Sequence, residues 1–192
     1  QRVPMITLPG RAVVEEAVSI HGGGLESYDF HGLELLQSLI ESRKGGETGV
    51  SQVEVLSGEQ TQQAIDSGRI SRELVNRAMQ AEVDAHFQRQ PWPGKDPSSV
   101  ARPITPDMFS RINHGLLLKY RDGTRASVLS IADSSDRWNF SCRLRGRSTP
   151  LSTSLYNGPW GNRCLFKALS HAIQQMFISG RPSYPVERTL LV

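Results

Sequence analysis

Residues 114–156 read HGLLLKYRDGTRASVLSIADSSDRWNFSCRLRGRSTPLSTSLY, and this stretch decides the fold. Four segments in it, 114–120, 125–132, 138–144 and 151–156, read as strands. Asp122-Gly123 marks a tight hairpin turn between the first two. Gly146 to Pro150 supplies the turn before the last. Four successive strands with short connections imply an antiparallel meander. Asn157-Gly158-Pro159-Trp160-Gly161 then closes the sheet.

Upstream of this run, residues 88–106 contain five prolines in nineteen positions, which forbids a helix and disfavours a central strand. The spacing predicts a functional flap or surface loop there. Further back, helices are expected at about 71–84, with Ser71 as N-cap, and at about 58–66, separated by Gly68. Valines at 50, 53 and 55 mark a strand over 50–56. Apolar residues at 33, 36 and 40 predict a helix over 30–44, stopped by Gly45-Gly46. Residues 12–20 read as a β-branched strand that ends at the glycine run Gly22-Gly23-Gly24.

Downstream, a long helix is expected over 162–179. Its stripe of Phe166, Leu169, Ile173, Met176 and Phe177 is assigned to core packing. Pro185 suits the first turn of another helix, which runs onto Leu190-Leu191-Val192 with no polar end. That ending, and the lack of an initiating Met, lead us to expect a piece of a longer protein.

The order β-α-β-α-α, four strands, then a helix lacks regular βαβ alternation. It predicts a single α+β domain over 1–192, with a largely antiparallel sheet and helices packed on one face. A dinucleotide-binding fold is not expected, because Gly22-Gly23-Gly24 lacks the G-x-G-x-x-G spacing.

Composition narrows the function. No apolar run approaches the roughly 20 residues that span a bilayer, and no secretory signal pattern opens the chain. Cys142 and Cys164 are too few for a disulfide framework and too far apart for a zinc site. Both are expected as reduced thiols in a cytoplasmic protein. The net charge of +3 is modest. Arg143, Arg145 and Arg147 alternate as they would on one strand face, and we read them as a solvated face, not a nucleic-acid patch.

The segment His21 to Glu34, HGGGLESYDFHGLE, gathers the residues best suited to chemistry. Its glycines permit a tight turn and close approach to a ligand. Ser27, Tyr28, Asp29 and His31 follow at the start of a helix, where a histidine can transfer protons near neutral pH. His31 is read either as a site residue or as a helix-capping or core histidine. His21, His86, His114 and His171 share no ligand spacing on one helix, so no metal site is expected.

This segment resembles the signature opening the C-terminal domain helix of the Gfo/Idh/MocA oxidoreductases, the glucose–fructose oxidoreductase and inositol dehydrogenase group. The match rests on Gly22, Gly23, Leu25, His31 and the acidic Glu34; Ser27 stands at the family's Asp position and Asp29 at its later Gly. Ile178-Ser179-Gly180-Arg181-Pro182 is similar to the family's closing turn. The resemblance implies a substrate-binding and oligomerisation domain acting on a sugar or cyclitol-type polyol, with His31 as acid/base. It further implies a homo-oligomer formed through the sheet face, and NAD(P) held by a domain outside this chain; no cofactor is expected within it. The candidate catalytic residues are His31, Ser27 and Asp29, and the candidate substrate-binding residues are Tyr28, Glu34, Gly23 and Gly24. Two alternatives stay open: a cofactor-independent hydrolase using Ser27 and His31, and a non-catalytic ligand-binding scaffold.

Overall fold

In a computed structural model, which describes residues 2–86, 111–132, 134–156 and 162–184, the strand Val14–Gly22 lies at the centre of the molecule. In chain order the elements are β1 (Arg2–Val3), β2 (Val14–Gly22), α1 (Leu25–Ile40), β3 (Val50–Ser57), α2 (Gly58–Asp66) and α3 (Arg72–His86). They continue with β4 (Ile112–Tyr120), β5 (Arg125–Ile131), β6 (Ser134–Leu144), β7 (Leu151–Leu155) and α4 (Asn162–Ser179). This is an α+β fold with an open, mixed and mostly antiparallel sheet. The expected loop 88–106 and the terminal segment 186–192 lie outside the described residues.

The strand order is β1-β7-β6-β2-β5-β4-β3. The expected four-strand meander is therefore split. β4 and β5 form one antiparallel hairpin, β6 and β7 another, and β2 is inserted between β5 and β6. β2 runs parallel to β5 and antiparallel to β6. The reason lies in its composition: of its nine residues only Glu15 is exposed. A strand buried on both faces belongs in the interior of a sheet with cover on either side.

That cover corrects a second expectation, since the helices occupy both faces and not one. Ala17, Phe140 and Cys142 meet Leu35, Leu36, Leu39 and Ile40 of α1 in one core. Val18, Ile20, Leu129 and Ile131 meet Ile65 of α2 and Leu74, Val75 and Met79 of α3 in the other. Alternation along each strand divides the apolar residues between these two cores.

Local chemistry holds the elements in place. Ser57 and Gln60 form a reciprocal capping box that starts α2. Arg43, buried past the end of α1, bonds Asp122 at 2.8 Å and lies over the Tyr120 ring at 4.7 Å. It thereby ties the Asp122-Gly123 turn to the helix. Burial works to raise the Asp122 pKa, but hydrogen bonds from Arg43 and Thr124 outweigh it and hold this carboxyl below its usual range. Cys142 is a free, fully buried thiol whose pKa burial pushes up to about 12, so it packs as a small hydrophobe; Cys164 is also free.

Two further expectations change. Only Arg143 lies in β6, where it pairs with Glu73 at 2.8 Å; Arg145 and Arg147 follow in the turn, so the three do not share a strand face. The α4 stripe assigned to the core faces solvent instead, with Phe166 60% and Phe177 78% exposed. The two cores are built with α1 on one face and with α2 and α3 on the other, and α4 contributes to neither.

Candidate functional site

The site forms where β2 ends and α1 begins. Two glycines there are required by space, not by unusual backbone angles. A side chain on Gly23 would fall 2.1 Å from Cγ of Tyr28, so the absence of one lets that ring fold back over the chain. A side chain on Gly22 would strike the Ser134 carbonyl at 2.5 Å. Gly24 serves as the N-cap of α1 in extended conformation, with nothing near its Cβ direction. Ser130 of β5 donates to the Gly23 carbonyl at 2.6 Å and fixes the loop to the sheet.

α1 then crosses the end of β2 unusually closely. Gly32 allows this approach, because a Cβ on it would lie 2.7 Å from Val128 and 2.9 Å from the His21 ring. The Ser19 hydroxyl donates to the Gly32 carbonyl at 3.0 Å and locks the crossing. Asp29, one turn earlier on the same face, is thereby lowered onto two histidines from other strands.

These three side chains are the chemical centre. Asp29 Oδ1 lies 2.7 Å from His114 Nε2 of β4 and 2.9 Å from His21 Nε2 of β2. The side chains are 10%, 12% and 0% exposed respectively. His114 makes an aligned hydrogen bond to the carboxylate. His21 Nε2 is close but out of alignment, and Asp29 Oδ2 has no partner. Burial pushes the His21 pKa below its ordinary value, Asp29 opposes this, and His114 and His31 add to it. His21 is therefore a neutral imidazole near pH 7, and its contact with Asp29 is not an ion pair.

The His21 tautomer follows from the backbone. Gly23 N–H donates to His21 Nδ1 at 3.2 Å, which leaves the ring proton on Nε2, facing Asp29. One ligand atom from each of His21, Asp29 and His114 falls within a 4.8 Å group, as two-histidine, one-carboxylate metal centres require. The tautomer works against that use, because a protonated Nε2 has no lone pair to give a cation. The group is better suited to sharing protons.

An aromatic wall stands beside it. Tyr28 stacks on Trp138 of β6 at 5.4 Å and 12°, and His21 lies 6.1 Å from Trp138 at 27°. His31 meets the edge of Trp138 at 6.1 Å. The structure thus brings Asp29, Tyr28, His31 and Gly23 of the expected residues to one place. Ser27 is exposed in the first turn of α1, its hydroxyl without a partner among the described residues, and Glu34 is half-buried further along the helix, outside the histidine group.

Sequence reading missed His114 and Trp138, and gave His21 no role beyond opening the glycine-led segment. The search for histidines at one-helix spacing cannot join residues contributed by separate strands. The available signal was positional: His21 ends a β-branched strand just before the glycines, and His114 begins another strand.

A concavity on the opposite face is lined by Glu16, Glu54, Arg69, Lys119 and Arg125. Its charges are largely matched, Arg125 to the buried Glu16 at 2.9 Å and Arg69 to Glu54 at the surface, which makes it an ion-pair network. Among the described residues no helix is long and apolar enough to cross a membrane. No protein-family model, curated protein or solved structure matches the chain.

Proposed function

We propose that this chain is the substrate-binding and oligomerisation domain of an oxidoreductase-like protein that acts on a sugar or cyclitol-type polyol. In this reading NAD(P) is held by a domain outside the chain, and the protein works in the cytoplasm. The observation that carries the proposal is the convergence of histidine and carboxylate groups with the Tyr28–Trp138 stack at the β2–α1 junction. A polyol asks for both: flat apolar surface for its C–H face, and a few placed polar groups for its hydroxyls.

Oligomerisation draws support from the sheet's uncovered margin. Val53 and Val55, on edge strand β3, are 58% and 61% exposed on the face that α1 leaves bare. Two free cysteines suit a reducing compartment. The serine hydrolase reading has less behind it, because no hydrogen bond joins Ser27 to His31 and Asp29 is engaged with His114.

Titration with D-glucose and myo-inositol, followed by tryptophan fluorescence, tests the proposal. Saturable quenching that disappears in Trp138→Phe and weakens in His31→Ala is expected. Covalent labelling of Ser27 by a serine-reactive phosphonate, without polyol quenching, would replace it with the hydrolase reading.

A further inference from the structure

We infer that Asp29 and His114 form the proton-transfer pair of this site, with His114 Nδ1 as the atom that exchanges a proton with a bound hydroxyl. The inference rests on the polyol reading above and deepens it, by moving the acid/base role to a strand residue far from the β2–α1 segment.

Three observations lead to it. First, the 2.7 Å bond from His114 Nε2–H to the Asp29 carboxylate leaves the lone pair of the neutral ring on Nδ1. Second, that nitrogen is open among the described residues. It has no partner among the described residues, it is not among the buried polar atoms left unpaired, and the side chain keeps 12% of its surface in solvent. Third, the other histidine of the cluster is excluded from the role. His21 is fully buried, its Nδ1 accepts from Gly23 N–H, and its Nε2 faces Asp29, so neither nitrogen can reach a ligand.

The division of labour then follows from chemistry. A hydroxyl of the bound polyol gives its proton to His114 Nδ1: the O–H bond breaks, an N–H bond forms, and oxygen keeps the electron pair. The ring becomes an imidazolium whose Nε2–H still points at Asp29 Oδ1, and the carboxylate stabilises the new charge. His21 stays neutral beneath the pair, 2.9 Å from Asp29 Oδ1. His21 from β2 and His31 from α1 are titratable groups of the same cluster among the described residues. Ser57 of β3 and Ser130 of β5 sit opposite His114 in the sheet register and bring no charge.

Rigid support suits this role. His114 and His21 stand on strands and Asp29 on a helix pinned to the sheet through Gly32, so the geometry does not depend on a loop.

Two measurements on the intact wild-type chain test the inference. Ring nitrogen NMR should show His114 as the Nε2–H tautomer, with Nδ1 unprotonated. Diethyl pyrocarbonate should acylate His114 and spare His21, as mapped by peptide mass spectrometry. Myo-inositol or D-glucose at ten times its dissociation constant should slow that acylation about tenfold. An Nδ1–H tautomer, or acylation of His114 at an unchanged rate while the same polyol quenches Trp138, overturns the proton-transfer pair and leaves the polyol reading intact. The Nε2–H tautomer and rapid acylation with no polyol effect on either probe would instead support the pair and overturn the polyol reading. In Asp29→Leu the single tautomer should give way to a mixture. If that variant does not fold, the wild-type tautomer and protection still decide the question.

Discussion

The β2–α1 junction buries His21 and Asp29 at 0% and 7% exposure, while α4 leaves Phe166, Leu169 and Phe177 at 60%, 52% and 78%. Polar groups are buried in the first region and apolar ones exposed in the second. The contrast teaches that burial here follows from available surface more than from side-chain type. α1 reaches the sheet because Gly32 lets it approach and Ser19 bonds its backbone, and it carries Asp29 down with it. α4 contributes to neither core, so its apolar stripe is left outside. The two regions should therefore respond to substitution in opposite ways.

The largest effect is expected within the α1 core. Leu36 is fully buried against the sheet, and Leu36→Ala should cost about 2–5 kcal/mol in a urea denaturation curve. A cost near zero would mean that α1 is not fixed on the sheet as described. Next comes the crossing point itself. Gly32→Ala places a methyl group against Val128 and the His21 ring, and should cost about 1–3 kcal/mol through overpacking. It should also weaken the Asp29–His114 contact, which the His114 ring nitrogen shifts would report.

A smaller effect is expected from acid. The folded-state pKa of His21 is lowered, so the unfolded chain takes up its proton first as pH falls below the ordinary value of 6.5. The contribution of this neutral ring is complete above about pH 6.5 and is lost as pH drops toward its lowered folded value. Denaturation midpoints should decline between pH 7 and pH 5, and His21→Asn should flatten part of that decline. An equal slope in both proteins would show that His21 is not held neutral.

The smallest effect is expected on α4. Phe166→Ser and Ile173→Ser should each change stability by less than about 0.5 kcal/mol, because these side chains bury little in the described chain. A loss of several kcal/mol would show that the α4 stripe is covered in solution, and sedimentation at two concentrations would show whether a second copy covers it.

Much of the secondary structure was legible in local chemistry. The Asp122-Gly123 turn, the Ser57 start of α2, and the bounds of the helices at 58–66 and 162–179 all follow from residues within a few positions of one another. That Asp29, Tyr28 and His31 lie close together was legible because they share one segment with the glycines. The roles of those glycines were only half legible: Gly23 is needed for the Tyr28 ring, whereas Gly24 meets no such constraint. His114 and Trp138 were not legible, because each reaches the site only through the pairing of its strand with neighbours far away in sequence.

By itself, then, the sequence determined the α+β class, most elements, and the glycine-led segment around which the site is built. Periodicity, turn residues and caps act over a few residues, and local order is all they need. The tertiary structure alone decided that β2 splits the expected meander, that helices cover both faces, that α4 stays outside, and that His21 and His114 share Asp29. Each of these depends on which surfaces remain free once other elements have packed, and that is a property of the assembled chain.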